Sequence, residues 1–227
     1  MTRRDVAIKA IISDVDGTLV DSNDCHADAW LEAFREFGVA PPRQAIRKQI
    51  GKGSDQLIPC FLSPEQISSF GAKVDQRKGE IFKNHYLKKV RAFPGVRPLF
   101  ERLVRDGKSV ALATSGGADE MRYYLSLLGI ERLIEGIVSS DDVARSKPYP
   151  DLFHVALDRF HWKADEAVIL GDAPYDVMAG AKIGLATIAV LTGGFTERSL
   201  REAGAIEIYP DLPALLRAYH ASRLGRV

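Results

Sequence analysis

Apolar and polar positions alternate in character along this chain, and the switches mark its elements. A β-branched apolar run from near Val6, culminating in Ile11-Ile12, reads as a buried strand of the parallel kind. It stops at Asp14, and Gly17-Thr18 turns the chain. From about Asp21 to Arg91 the pattern predicts helices and no strand. Ala29, Trp30, Ala33, Phe34 and Phe37 recur at helical spacing, with Gly38 as the stop. Pro41-Pro42 opens a second helix towards Ile50. Gly51-Lys52-Gly53-Ser54 forms a loop, and Leu57, Ile58, Phe61 and Leu62 sit on a short apolar helix. Ser63-Pro64-Glu65-Gln66 starts a helix that runs to about Lys88.

After Phe93-Pro94-Gly95 the rhythm becomes alternating helix and strand. Helices are predicted over 96–106, 118–128, 150–160, 176–183, 197–203 and 212–224. Strands are predicted over 109–113, 137–140, 167–170, 186–191 and 206–209. Repeated βα units imply a parallel sheet with helices on both faces, an α/β fold. The helical block therefore interrupts that fold after its first strand. The expected division is a core of residues 1–20 and 92–227 and an inserted helical unit of residues 21–91.

Composition narrows the function classes. The 227 residues are 46% hydrophobic and 27% charged, as in an ordinary globular protein. With 31 basic and 30 acidic residues the net charge is +1, so no overall field attracts nucleic acid or an acidic membrane. Cys25 and Cys60 fit neither a metal motif nor a disulfide framework. The opening Met1-Thr2-Arg3-Arg4-Asp5 does not read as a signal peptide, and no apolar run reaches membrane-spanning length. The expectation is a cytoplasmic protein; oligomeric state cannot be read from the chain.

Chemistry gathers at the strand ends. Asp14 and Asp16 place two carboxylates where open α/β sheets bind ligands. Turn chemistry accounts for Asp16-Gly17 but not for Asp14. A further strand delivers Asp172 after Gly171, with Asp176 one helical turn on, and Asp176 can also serve as a helix cap. Carboxylates completed by phosphate and water are how proteins hold Mg²⁺. Thr114-Ser115-Gly116-Gly117 offers hydroxyls and open backbone N–H groups for an anion, although it is also plain turn material. Lys147, flanked by Ser146 and Pro148, is a cation suited to a phosphoryl oxygen; a lone lysine is also commonly just solvated.

Taken together, Asp14-Val15-Asp16-Gly17-Thr18, Thr114, Lys147 and Gly171-Asp172 with Asp176 resemble the four motifs of the haloacid dehalogenase superfamily of hydrolases. The resemblance implies a Rossmann-like core with a small α-helical cap. It implies Asp14 as nucleophile and Asp16 as general acid/base. Asp14, the Asp16 backbone carbonyl and Asp172 would hold Mg²⁺, with Asp176 supporting from nearby; Thr114, Ser115 and Lys147 would hold the phosphoryl group. An acid two residues past the nucleophile favours phosphate esters over carbon–halogen or phosphonate substrates. The phosphoglycolate phosphatase and β-phosphoglucomutase branches look nearest, because Asp21-Ser22, His26 and Trp30 resemble the opening of their cap helix. Ser54 stands where the mutases carry an arginine, which argues against a mutase.

His26 is a candidate bridge to Asp16, or an ordinary helix histidine. Lys52 is a candidate substrate contact, or a solvated loop lysine. The expected activity is Mg²⁺-dependent hydrolysis of a small phosphorylated metabolite through an aspartyl phosphate. The alternatives are a phosphomutase and a non-catalytic binding protein on the same scaffold.

Overall fold

The computed structural model describes residues 6–226; Met1–Asp5, on which the signal-peptide expectation falls, and Val227 lie outside them. Six strands form one parallel sheet: β1 (Ala10–Ser13), β4 (Ser109–Ala113), β5 (Gly136–Val138), β6 (Ala167–Gly171), β7 (Ala186–Val190) and β8 (Glu207–Tyr209). Their spatial order is β5-β4-β1-β6-β7-β8. Between β1 and β4 lies a separate antiparallel pair, β2 (Val20–Asp21) and β3 (Arg91–Ala92), with Val20 opposite Ala92 and Asp21 opposite Arg91. The pattern predicts no strand at Asp21 or Arg91, and the pair corrects it. Two residues per strand are too few to show alternation.

The helices are α1 (Asn23–Glu36), α2 (Arg43–Arg47), α3 (Ser54–Leu57), α4 (Pro64–Gln66), α5 (Ala72–Ile81), α6 (Val96–Arg105), α7 (Ala118–Leu128), α8 (Asp151–Phe160), α9 (Pro174–Ala181), α10 (Glu197–Ala203) and α11 (Leu212–Arg217). Strand residues alternate between two cores. Ile11, Val110 and Val168 face Leu99, Phe100 and Leu103 of α6, Tyr124 of α7 and Leu215 of α11. Ile12 and Ile169 face Leu152, Phe153 and Ala156 of α8 and Ala179 of α9. A period of two on a strand buried on both faces produces this split.

In the inserted block, α1 buries Ala27, Trp30, Ala33 and Phe34 on one stripe. The long helical run starts at a capping box in which the Ser63 hydroxyl accepts from the Gln66 N–H. It carries two π turns, over Ile67–Gly71 and Phe82–Tyr86. The last predicted helix stops at Arg217 instead of running to 224. The Ser222 hydroxyl donates to the Tyr219 carbonyl at 2.6 Å, and the Arg223 N–H donates to Glu207 Oε1 at 2.9 Å. Side chains thus take the partners that another helical turn would need.

Candidate active site

Register brings the chemistry together. Ser13 pairs with Leu112 of β4 and with Leu170 of β6, so the next residues at this edge are Asp14, then Ala113-Thr114 and Gly171-Asp172. The Asp14 N–H still donates to the Leu170 carbonyl at 2.8 Å. The chain leaves β1 for β4 on one side and returns with β6 on the other, a switch point where open α/β sheets form their crevice. Gly17 turns with φ +83°, and a β-carbon there would strike Asn23 Nδ2 and Asp172.

Asp14, Asp172 and Asp176 are buried, and an oxygen of each lies within 4.8 Å of the others. The Lys147 ammonium, itself fully buried, sits against Asp14 Oδ1, lies 2.8 Å from Asp176 Oδ1 and donates to the Ala113 carbonyl at 3.3 Å. The Thr18 hydroxyl is within reach of Asp14 Oδ2 (3.0 Å) and of Asp172 Oδ1 (3.1 Å). One ammonium against three carboxylates leaves an excess of negative charge in a dry site. Burial therefore pushes the Asp14 carboxyl up to about 7, with Lys147 opposing and Asp176 and Asp16 adding to the rise. Burial and then the charges of Asp14 and Asp176 carry Asp172 well above the usual carboxylate range. Burial alone would depress the Lys147 ammonium, but Asp14 and Asp176 raise it above its ordinary value. A divalent cation with hard oxygen ligands fits this donor set, because it supplies the missing positive charge. Asp176, expected only in support, contributes its carboxylate to the group as fully as Asp14 and Asp172.

Asp16 has different surroundings. Its Oδ1 accepts from the Ser22 hydroxyl at 2.6 Å and lies 3.0 Å from His26 Nε2. The His26 ring stacks on Phe82 at 3.9 Å with the planes 5° apart, so the second π turn fixes the imidazole. Burial would raise Asp16, but the charge and hydrogen bond of His26, then Ser22, hold it below the usual carboxylate range. His26 thus lies within hydrogen-bond reach of Asp16. The Thr114 hydroxyl lies 3.5 Å from Asp16 Oδ2 and accepts from the Gly116 N–H at 2.9 Å.

A cavity of about 50 Å³ separates this edge from the helical block. Asp14, Asp16 and Ser115 line it from the sheet side; His26, Trp30, Lys52 and Lys78 line it from the block. Lys52 is thus on the wall, its ammonium donating to Gln49 Oε1 at 2.6 Å and lying 4.8 Å from the Tyr175 ring centre. Ser54 opens α3 and is not among the lining residues; its neighbours make the contacts instead. The Gly53 N–H donates to Ser146 Oγ at 2.9 Å, and Asp55 accepts from the Ser146 N–H at 3.0 Å and from its hydroxyl. The Tyr175 hydroxyl donates to the Lys48 carbonyl at 2.6 Å. These landings fall one residue from Lys147 and one from Asp176. Sequence reading missed Asp55, Lys78 and Asn23, whose partners lie far along the chain.

The chain is similar to known proteins over most of its length. The model of the haloacid dehalogenase-like hydrolase family matches residues 11–190. A phosphoglycolate phosphatase of Rhodospirillum rubrum is 28% identical over 215 residues, spanning 91% of this chain and 89% of that protein. A phosphoglycolate phosphatase of Vibrio parahaemolyticus is 30% identical over 200 residues, spanning 85% and 87%. The crystal structure of a hydrolase from Pseudomonas syringae superposes with a TM-score of 0.86 at 28% identity, covering 94% of this chain and 98% of that one. With four strand-end motifs converging on one edge and the family model spanning most of the sheet, the chain belongs to the haloacid dehalogenase-like hydrolases.

Proposed function

We propose that this protein is a Mg²⁺-dependent phosphatase that hydrolyses a small phosphate monoester through an aspartyl phosphate. One observation carries the reading: the two acids of Asp14-Val15-Asp16 line the same cavity in opposite environments, Asp14 against Lys147 and Asp16 against His26. Alone, these environments favour a protonated Asp14 and an ionised Asp16, so the assignment requires the cation at Asp14 and release of Asp16 from His26, which lets Asp16 carry a proton. The phosphatase names of the relatives point the same way.

Asp14, Asp172 and Asp176, with the Asp16 carbonyl, are the residues that would hold Mg²⁺. When bound, the ion supplies positive charge that keeps Asp14 ionised and offsets the charge of the transferring group. An Asp14 carboxylate oxygen attacks phosphorus, and the bond to the leaving oxygen breaks. Asp16 gives that oxygen a proton. It then takes a proton from the water that displaces phosphate from Asp14, which restores both acids. The Thr114 and Ser115 hydroxyls and the Lys147 ammonium would hold phosphoryl oxygens; one such preorganised donor is worth roughly 3 kcal/mol, about a hundredfold in rate. The helical block of residues 21–91 acts as a cap over a core of residues 1–20 and 92–227, and its wall residues Lys52 and Lys78 choose the substrate.

The test is phosphate release from a panel of small phosphomonoesters, with Mg²⁺ and with chelator, for the wild type and Asp14→Asn. The wild type is expected to release phosphate only with the metal, and the folded variant to fall to background. Near-normal turnover in Asp14→Asn sinks the mechanism. Interconversion of isomers under a bisphosphate primer, without phosphate accumulating, would mark a mutase instead.

A further inference from the structure

Asn23 belongs to none of the strand-end motifs, yet it reaches the acid cluster from the helical block. It opens α1, is 3% exposed, and its Nδ2 donates to Asp172 Oδ2 at 3.2 Å and to the Gly193 carbonyl at 3.3 Å. The Thr18 hydroxyl, 3.1 Å from the other oxygen of Asp172, has a single proton to divide between it and Asp14 Oδ2, which leaves the Asn23 amide as the donor directed at Asp172 from the helical block. The reverse orientation of the amide would set oxygen against oxygen. Backbone walls close the box: a β-carbon at Gly193 would collide with Asp172 Oδ2, and one at Gly17 with Asn23 Nδ2.

Two further observations bear on what this amide does. Its Oδ1 is buried without a hydrogen-bond partner, a cost of roughly 1–3 kcal/mol that an alanine at this helix start would avoid. The Gly193 carbonyl that Asn23 grips also accepts from Arg47 of α2 at 2.6 Å. Two separate helices of the block thus hold one carbonyl, and Asn23 extends that grip to Asp172.

We propose that Asn23 is a positioning residue for the divalent cation, fixing the Asp172 carboxylate and linking cation affinity to the docking of the helical block. The inference rests on the reading of Asp14, Asp172 and Asp176 as cation ligands. Hydrogen-bond partners outside a ligand set orient it, and losing one typically weakens metal affinity about 10–100-fold. Because binding couplings are reciprocal, whatever undocks α1 and α2 weakens the cation by the same factor that the cation tightens their docking.

The experiment is Mg²⁺ titration of the full chain by isothermal calorimetry, with metal-free melting recorded beside it. Asn23→Ala is expected to raise the Mg²⁺ dissociation constant about 10–100-fold. A role limited to packing would lower the metal-free melting temperature and leave the constant where it was, and that result overturns the inference. Absence of Mg²⁺ binding by the wild type would instead overturn the cation-site reading beneath it. Should Asn23→Ala fail to fold, Arg47→Ala frees the Gly193 carbonyl without touching Asp14, Asp172 or Asp176, giving up besides only the exposed pair with Asp24. That variant is expected to bind Mg²⁺ several-fold more weakly; wild-type affinity there removes the link.

Discussion

Removing the metal should make this fold lose stability as pH rises through the neutral range, against the trend for most carboxylates. The carboxyl of Asp14 stands at about 7 in the metal-free fold against an ordinary 3.8. A group whose folded value is raised keeps its proton longer folded than unfolded. Its stabilising contribution is whole below about pH 4 and is lost as pH climbs to about 7. At about 1.4 kcal/mol per pH unit, the loss from Asp14 reaches about 4 kcal/mol. For a chain of this length that is roughly 8–16 °C of melting temperature. Asp172 shifts in the same direction and adds to the slope. Asp16, held low, works oppositely, and only as pH falls below about 4. Saturating Mg²⁺ takes the place of those protons, so the stabilisation it confers should grow from about pH 5 to about pH 8. The assay is thermal unfolding in chelator and in Mg²⁺ across that range, with Asp14→Asn subtracting the background titration. Metal-free melting that stays level or rises with pH, relative to the variant, refutes the reasoning.

Asp16→Ala should cost far more with alkyl phosphates than with p-nitrophenyl phosphate, because a nitrophenolate leaves without a proton; the ratio of initial rates at pH 7 reads it, and equal losses would strip Asp16 of its acid role. Lys52→Ala should reorder the substrate panel while leaving the Mg²⁺ dependence unchanged, as expected of a wall residue 4.8 Å from the Tyr175 ring centre and outside the acid cluster; an unchanged panel rejects it as a substrate contact.

The acids were legible because each violates the pattern around it: a buried apolar strand has no local use for Asp14 or Asp172 at its end. Thr114 and Lys147 are ambiguous singly, and only the order of strands places them beside Asp14. Asn23 gave no signal, since an amide at a helix start is ordinary there. Its partner Asp172 lies 149 residues away, and no periodicity reports such a pairing. Asp55 escaped for the same reason, meeting Ser146 from 91 residues off. The β2–β3 pair was hidden by its shortness, and the end of α11 by Ser222 and Glu207, side chains that compete for backbone groups.

The position of β1 has a consequence for synthesis. It is the earliest strand of the sheet and lies between β4 and β6, so neither hydrogen-bonded neighbour exists until residues 113 and 171 have left the ribosome. This fully buried strand must therefore wait with both edges bare until β4 is made and with one edge bare until β6 is made, a state prone to association with other chains. The helical block emerges in that interval and can collapse on its own aromatic stripe of Trp30, Phe34 and Phe82, shielding Leu19 and Val20 beside it. Slowing translation after residue 90 should thus protect the nascent chain, whereas deleting the block should leave β1 dependent on chaperones.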